Sequence, residues 1–120
     1  MKKKIAEKWV KALRSGDYKQ GKDRLRDEQN NFCCLGVLCN LHAQEHPYLA
    51  KLEKYPSSYL SETVELPVKV QEWAGMDDSL GCFSYPVPGY EDEYSLAELN
   101  DAGMEFKKLA KYIEKNYKYL

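Results

Sequence analysis

Between residues 3 and 15 the apolar positions fall at Ile5, Trp9, Val10 and Leu13 with lysines interleaved, which is one face of an amphipathic helix. Ser15-Gly16 ends it, because glycine supplies the left-handed turn that closes a helix. Trp9 is the expected anchor of that helix in the core. From Asp17 to Arg26 no helical stripe persists. Tyr18 and Leu25, on either side of Gly21, suggest a short hairpin, followed by a polar turn over 27–31. Then the pattern changes sharply. Cys33 to His46 reads as a central helix whose apolar residues, Leu35, Val37, Leu38 and Leu41, cover most of its circumference, so it should be buried on most sides. Gly36 costs such a helix about 1 kcal/mol, which points to a neighbour pressed close against it. Pro47 ends the run, and 48–61 reads as a long loop with a short helical piece.

Residues 63–66 alternate as a strand does, and Pro67 suits the first turn of a short helix that buries Val70 and Trp73 and closes at Gly75. A second weak strand is expected over 81–87, and an exposed acidic turn at 91–93. Ser95 followed by Glu98 is a capping box opening a short helix that breaks over Asn100 to Gly103. The last helix is expected over about 104–118, with Asp101 as its N-cap and Phe106, Leu109, Ala110, Ile113 and Tyr117 on its apolar face. Lysines crowd its last turns, where the helix dipole favours them. These elements predict a compact single α+β domain covering 1–120, with three to four helices packed on a small antiparallel sheet.

A chain of 120 residues is the size of one domain. It has no apolar stretch near membrane-spanning length, and Glu7, Lys8 and Lys11 interrupt any export signal, so a cytoplasmic protein with reduced thiols is expected. The net charge of −1 hides an asymmetry: residues 1–30 carry ten cations against five acids, and residues 61–103 carry Lys69 against ten acids. Such poles attract each other within a fold or steer a charged partner; the first is the expectation. A sequence pI near 6.1 and no helix-turn-helix pattern argue against duplex DNA.

Chemistry is sparse. Cys39, His42 and His46 share one helical face, but the close paired spacing of zinc ligands is absent, so no metal is expected. The start of a helix can lower a thiol pKa at Cys33 or Cys34. Yet His42 lies roughly 12 Å along the same helix, too far to act as its base, so no catalytic residue and no cofactor is assigned. Anion binding fits better. Lys22, Arg24 and Arg26 precede a helix whose first amides carry partial positive charge, and arginines with helix N-termini hold phosphate. The expected ligand set is Arg14, Tyr18, Gln20, Arg26, Cys34, Gly36, Asn100 and Asp101, with the tyrosine available to stack on a base. A solvated basic turn, and an Asn100 that only braces its loop, are the plainer readings of the same residues.

Three stretches carry a resemblance: Trp9 through Leu13-Arg14-Ser15-Gly16 to Tyr18 and Gln20; Phe32-Cys33-Cys34-Leu35-Gly36-Val37-Leu38-Cys39; and Leu96 through Asn100-Asp101 to Gly103, with Phe106. Together they resemble a family of small proteins encoded by bacteriophages and prophages, generally without an assigned function. The resemblance covers most of the chain but not 44–62 or 87–94. It implies a phage accessory protein in the host cytoplasm that acts by binding, with counter-defence a common purpose. The leading expectation is sequestration of a phosphate-bearing, nucleotide-derived immune signal. The alternatives are an inhibitor that docks its acidic 87–94 face on a host or phage protein, and a nucleotide-processing enzyme. No membrane partner is expected, and a homo-oligomer is left open.

Overall fold

Trp9 has no exposed surface, and its indole N–H donates to the Cys34 carbonyl at 2.9 Å. That bond ties helix α1 (Lys3–Arg14) to helix α2 (Cys34–Glu45), the central element. The computed structural model describes residues 1–50, 58–84, 86–90 and 94–120. Ile5, Ala6, Trp9, Val10 and Leu13 form the buried face of α1, which packs along the C-terminal helix α6 (Phe106–Asn116) and its inward residues Phe106, Leu109, Ala110 and Ile113. Helix α2 is buried without a break from Cys34 to Cys39. The closest approach is at Gly36, where a Cβ would stand 1.6 Å from the Leu25 carbonyl oxygen. The expected crowding is therefore a neighbouring stretch of the chain's own backbone.

Helix α3 (Pro47–Ala50) restarts after His46, and α4 (Val68–Ala74) follows Pro67 and closes on Gly75 at φ 70°. Val70 is buried, whereas Trp73 is half-buried. Helix α5 (Leu96–Asp101) opens with the anticipated capping box: the Ser95 hydroxyl accepts the Glu98 amide at 3.1 Å, and the Glu98 carboxylate accepts the Ser95 amide at 2.9 Å. Among the described residues, four strands of two residues each pair into two short ladders. Strand β1 (Lys19–Gln20) runs parallel to β2 (Asn31–Phe32), and β3 (Cys82–Phe83) runs antiparallel to β4 (Tyr94–Ser95), with Cys82 opposite Ser95. The architecture is α+β, with six helices among the described residues, four of them seven residues or longer, around one hydrophobic core. Among the described residues no helix is long and apolar enough to cross a membrane.

Three local expectations are corrected. The chain does not turn back at Gly21 into a hairpin. The Asp27 carboxylate gathers the Gln29 and Asn31 amides, each at 2.9 Å, and this turn delivers residues 31–32 alongside β1 in the parallel sense. Residues 63–66 form no strand, because their backbone bonds diverge: Thr63 accepts from Leu25, while Leu66 donates to Ser79. Helix α6 is capped at Glu105 rather than Asp101, and its end tightens into a 3-10 turn (Tyr117–Tyr119). The acidic turn at 91–93 and most of the loop after α3 lie outside the described residues.

Candidate functional site

The expected phosphate cradle at the start of α2 is occupied by the protein itself. Asn100 is fully buried at the end of α5, and its Oδ1 accepts the Cys34 amide at 3.2 Å and the Gln20 side-chain amide at 2.8 Å. Its Nδ2 donates to the Gly21 carbonyl at 2.8 Å and to the Asp101 carboxylate at 3.2 Å. Gln20 also donates to the Met104 carbonyl at 2.8 Å and accepts the Phe106 amide at 3.2 Å, so it spans the α5–α6 junction. Asp101 takes the Asp23 amide at 2.9 Å. The Gly36 amide points at the Cys33 sulfur, 3.4 Å away. Five of the eight expected residues (Gln20, Cys34, Gly36, Asn100 and Asp101) thus meet in one place, as a polar knot fastening the 17–33 segment over the α2 start and onto α5. Asn100 braces, as the plainer reading had it.

The other three lie elsewhere. Arg14 reaches across to Glu114 of α6 at 2.6 Å. Arg26 bonds Asn30 and lies over the Phe32 ring, 5.6 Å from its centroid. Tyr18 packs edge-on against the same ring and accepts a bond from Asn40 at 2.6 Å. Phe32 thus engages both the aromatic and the guanidinium that were expected to share a ligand. The thiols are corrected as well. Burial pushes Cys33 up to about 11 and Cys34 well above the ordinary thiol value, which outweighs any help from the helix start.

At the far end of α2, His42 and His46 stack with ring centroids 4.1 Å apart, and Trp73 of α4 meets His42 edge-on at 5.1 Å. His42 Nδ1 shares a hydrogen bond with the Tyr59 hydroxyl at 2.6 Å, and His46 Nδ1 donates to the His42 carbonyl at 2.8 Å. Glu45 accepts the Trp73 indole N–H at 2.7 Å and pairs with Lys8 of α1. Among the described residues no group of three His, Cys, Asp or Glu is placed to hold a metal ion.

Among the described residues, one groove lies on each of two sides of α6. The one against α1, about 630 Å³, has an apolar floor of Ala6, Val10 and Tyr117 under a rim of mixed sign. The one against Pro86 and Pro88, about 520 Å³, is lined on its helical side by Lys107, Lys108, Lys111 and Lys115 with Tyr112, and carries, among the described residues, the carboxylate of Glu105 at one end. Among the described residues none of these lysines forms an ion pair. They occupy the face of α6 opposite Phe106, Leu109, Ala110 and Ile113. That stripe was open to a helical projection of the sequence, but it reads there as an ordinary solvated face. Only the fold brings two prolines beside it.

The molecule is thus a small α+β domain, knotted internally by polar groups around a buried helix, with a stripe of exposed lysines on its last helix. Residues 1–117 match the family model described as a domain of unknown function (DUF8296), so the chain belongs to that family. No curated protein and no solved structure matches it.

Proposed function

We propose that this protein acts by binding, and that it sequesters a phosphate-bearing, nucleotide-class small molecule in the lysine groove of α6. One observation carries the reading: four exposed lysines without ion pairs among the described residues converge with Tyr112 on one groove. Ammonium groups free of carboxylate partners hold phosphate without first breaking a bridge. Binding rather than turnover is favoured by the raised pKa of Cys33 and Cys34, which keeps both thiols in their poorly nucleophilic form. The motif resemblance to phage and prophage proteins supplies the context, a counter-defence role in a bacterial cytoplasm.

Thermal unfolding with a panel of nucleoside phosphates, cyclic dinucleotides and ADP-ribose derivatives tests it. A ligand that binds only the folded state at one hundred times its Kd adds about 2.7 kcal/mol and raises Tm by several degrees. Paired charge reversal, Lys108→Glu with Lys111→Glu, removes the shift and spares the fold, since both side chains are exposed. A panel with no stabilising member defeats the proposal. A shift that survives charge reversal removes the ligand from this groove.

A further inference from the structure

We infer that the ligand of the α6 groove carries several phosphates in a row, as a short single-stranded oligonucleotide does, rather than one phosphate; this rests on the binding function proposed above. The lysines are arrayed along the helix rather than clustered around a point. Lys107 or Lys108, then Lys111, then Lys115 place one cation on each of three successive turns. At the rise of an α-helix they span roughly 10 Å, with about one turn between neighbours. A single phosphate could touch only one or two of them. The turn-to-turn interval is of the order of that between neighbouring phosphates joined by one sugar, so a run of phosphates meets every lysine in turn.

The walls agree with this choice. Tyr112 lies between Lys111 and Lys115 in sequence and lines the same groove, with its ring backed by Phe83 at 6.1 Å. Pro86 and Pro88 form the opposite wall and bring no charge of their own. Glu105 stands at the N-terminal end of the stripe and repels phosphate there, which directs the run toward Lys111 and Lys115. The stripe is too short, and the chain's net charge of −1 too low, for a duplex.

The salt dependence of binding counts the phosphates engaged. Affinities of the intact protein are measured by calorimetry for adenosine monophosphate and for linear di- and trinucleotides of adenosine, each at two salt concentrations. With a slope of about 0.7 per phosphate on a single strand, a fourfold rise in salt weakens a one-phosphate ligand about 2.6-fold and a three-phosphate ligand about 18-fold. The expected result is that affinity and salt sensitivity both climb from mono- to trinucleotide. Lys115→Gln should then lower the trinucleotide's salt sensitivity by about one phosphate's share and leave the mononucleotide unchanged. Equal affinity and equal salt slope for all three ligands would overturn this inference and leave the nucleotide-binding function standing. No binding by any of the three, together with none across the wider panel, would overturn both.

Discussion

Asn100 shows how much one side chain can hold. It is a carboxamide with no exposed surface whose oxygen accepts from α2 and from Gln20, and whose nitrogen donates to the Gly21 carbonyl and to Asp101. An amide alone offers two donors and an acceptor within one planar group, so neither Asp nor Leu can replace it. Asn100→Ala leaves the Cys34 amide, the Gln20 amide and the Gly21 carbonyl without this partner in a buried setting. Each orphaned group costs about 1–3 kcal/mol, and local settling recovers part, so the expected loss is about 3 kcal/mol. Urea unfolding checks it, and a loss under about 1 kcal/mol would show that the knot is incidental to stability. Gly36 plays a complementary part. It contributes no bond from a side chain, yet the missing Cβ is what allows the Leu25 carbonyl to lie against α2.

At the scale of elements, α2 turns a composition into a reactivity. Cys33, Cys34 and Cys39 are buried in its first turns, whereas Cys82 sits exposed in β3. Burial disfavours the thiolate and blocks the approach of a reagent. In the native protein one thiol should therefore react quickly with a chromogenic disulfide, and all four should react in denaturant. Rapid reaction of two or more native thiols would place the α2 start at the surface. The elements themselves were legible wherever a side-chain period or a cap residue marked them: α1 by its apolar face, α2 by its unbroken apolar run, α5 by Ser95 and Glu98, and α4 by Pro67 and Gly75. Pairing was not legible. Strands of two residues carry no period, and the parallel partner of Lys19–Gln20 lies a full loop away, set by Asp27 and its turn. The candidate site divides in the same way. Gln20, Cys34, Gly36, Asn100 and Asp101 were singled out together, and they do meet. Whether polar groups face a ligand or one another depends on the distance between α2 and α5, which no local pattern encodes.

Over the whole molecule, charge is arranged differently from the two-pole expectation. Among the described residues the ion pairs run from α1 to α2, at Lys8–Glu45, and from α1 to α6, at Arg14–Glu114, and none joins residues 1–30 to residues 61–103. Near neutral pH, the fold is coupled to protons through the junction of α2, α4 and Tyr59. His42 is 2 % exposed there. It is faced by the Tyr59 hydroxyl, by the stacked His46 and the Glu45 carboxylate on its own helix, and by Trp73 and the Lys69 ammonium from α4. Burial lowers its pKa from 6.5 to about 4; the charges of His46 and Lys69 push the same way, and Glu45 opposes them only in part. The folded state therefore refuses a proton that the unfolded chain accepts, so stability is fullest above about pH 6.5 and falls as the pH drops toward 4. At 1.36 kcal/mol per pKa unit the loss is about 1 kcal/mol between roughly pH 7 and pH 5.5 and approaches about 3 kcal/mol near pH 4. The first interval lies above the range in which ordinary carboxylates titrate, so unfolding measured across it isolates His42. His42→Gln should flatten that interval, and the His42 ring protons in an NMR titration of the native protein should move with a midpoint near 4. A midpoint near 6.5 would mean that water reaches the ring, and that the α2–α4 junction opens far more readily than its packing allows.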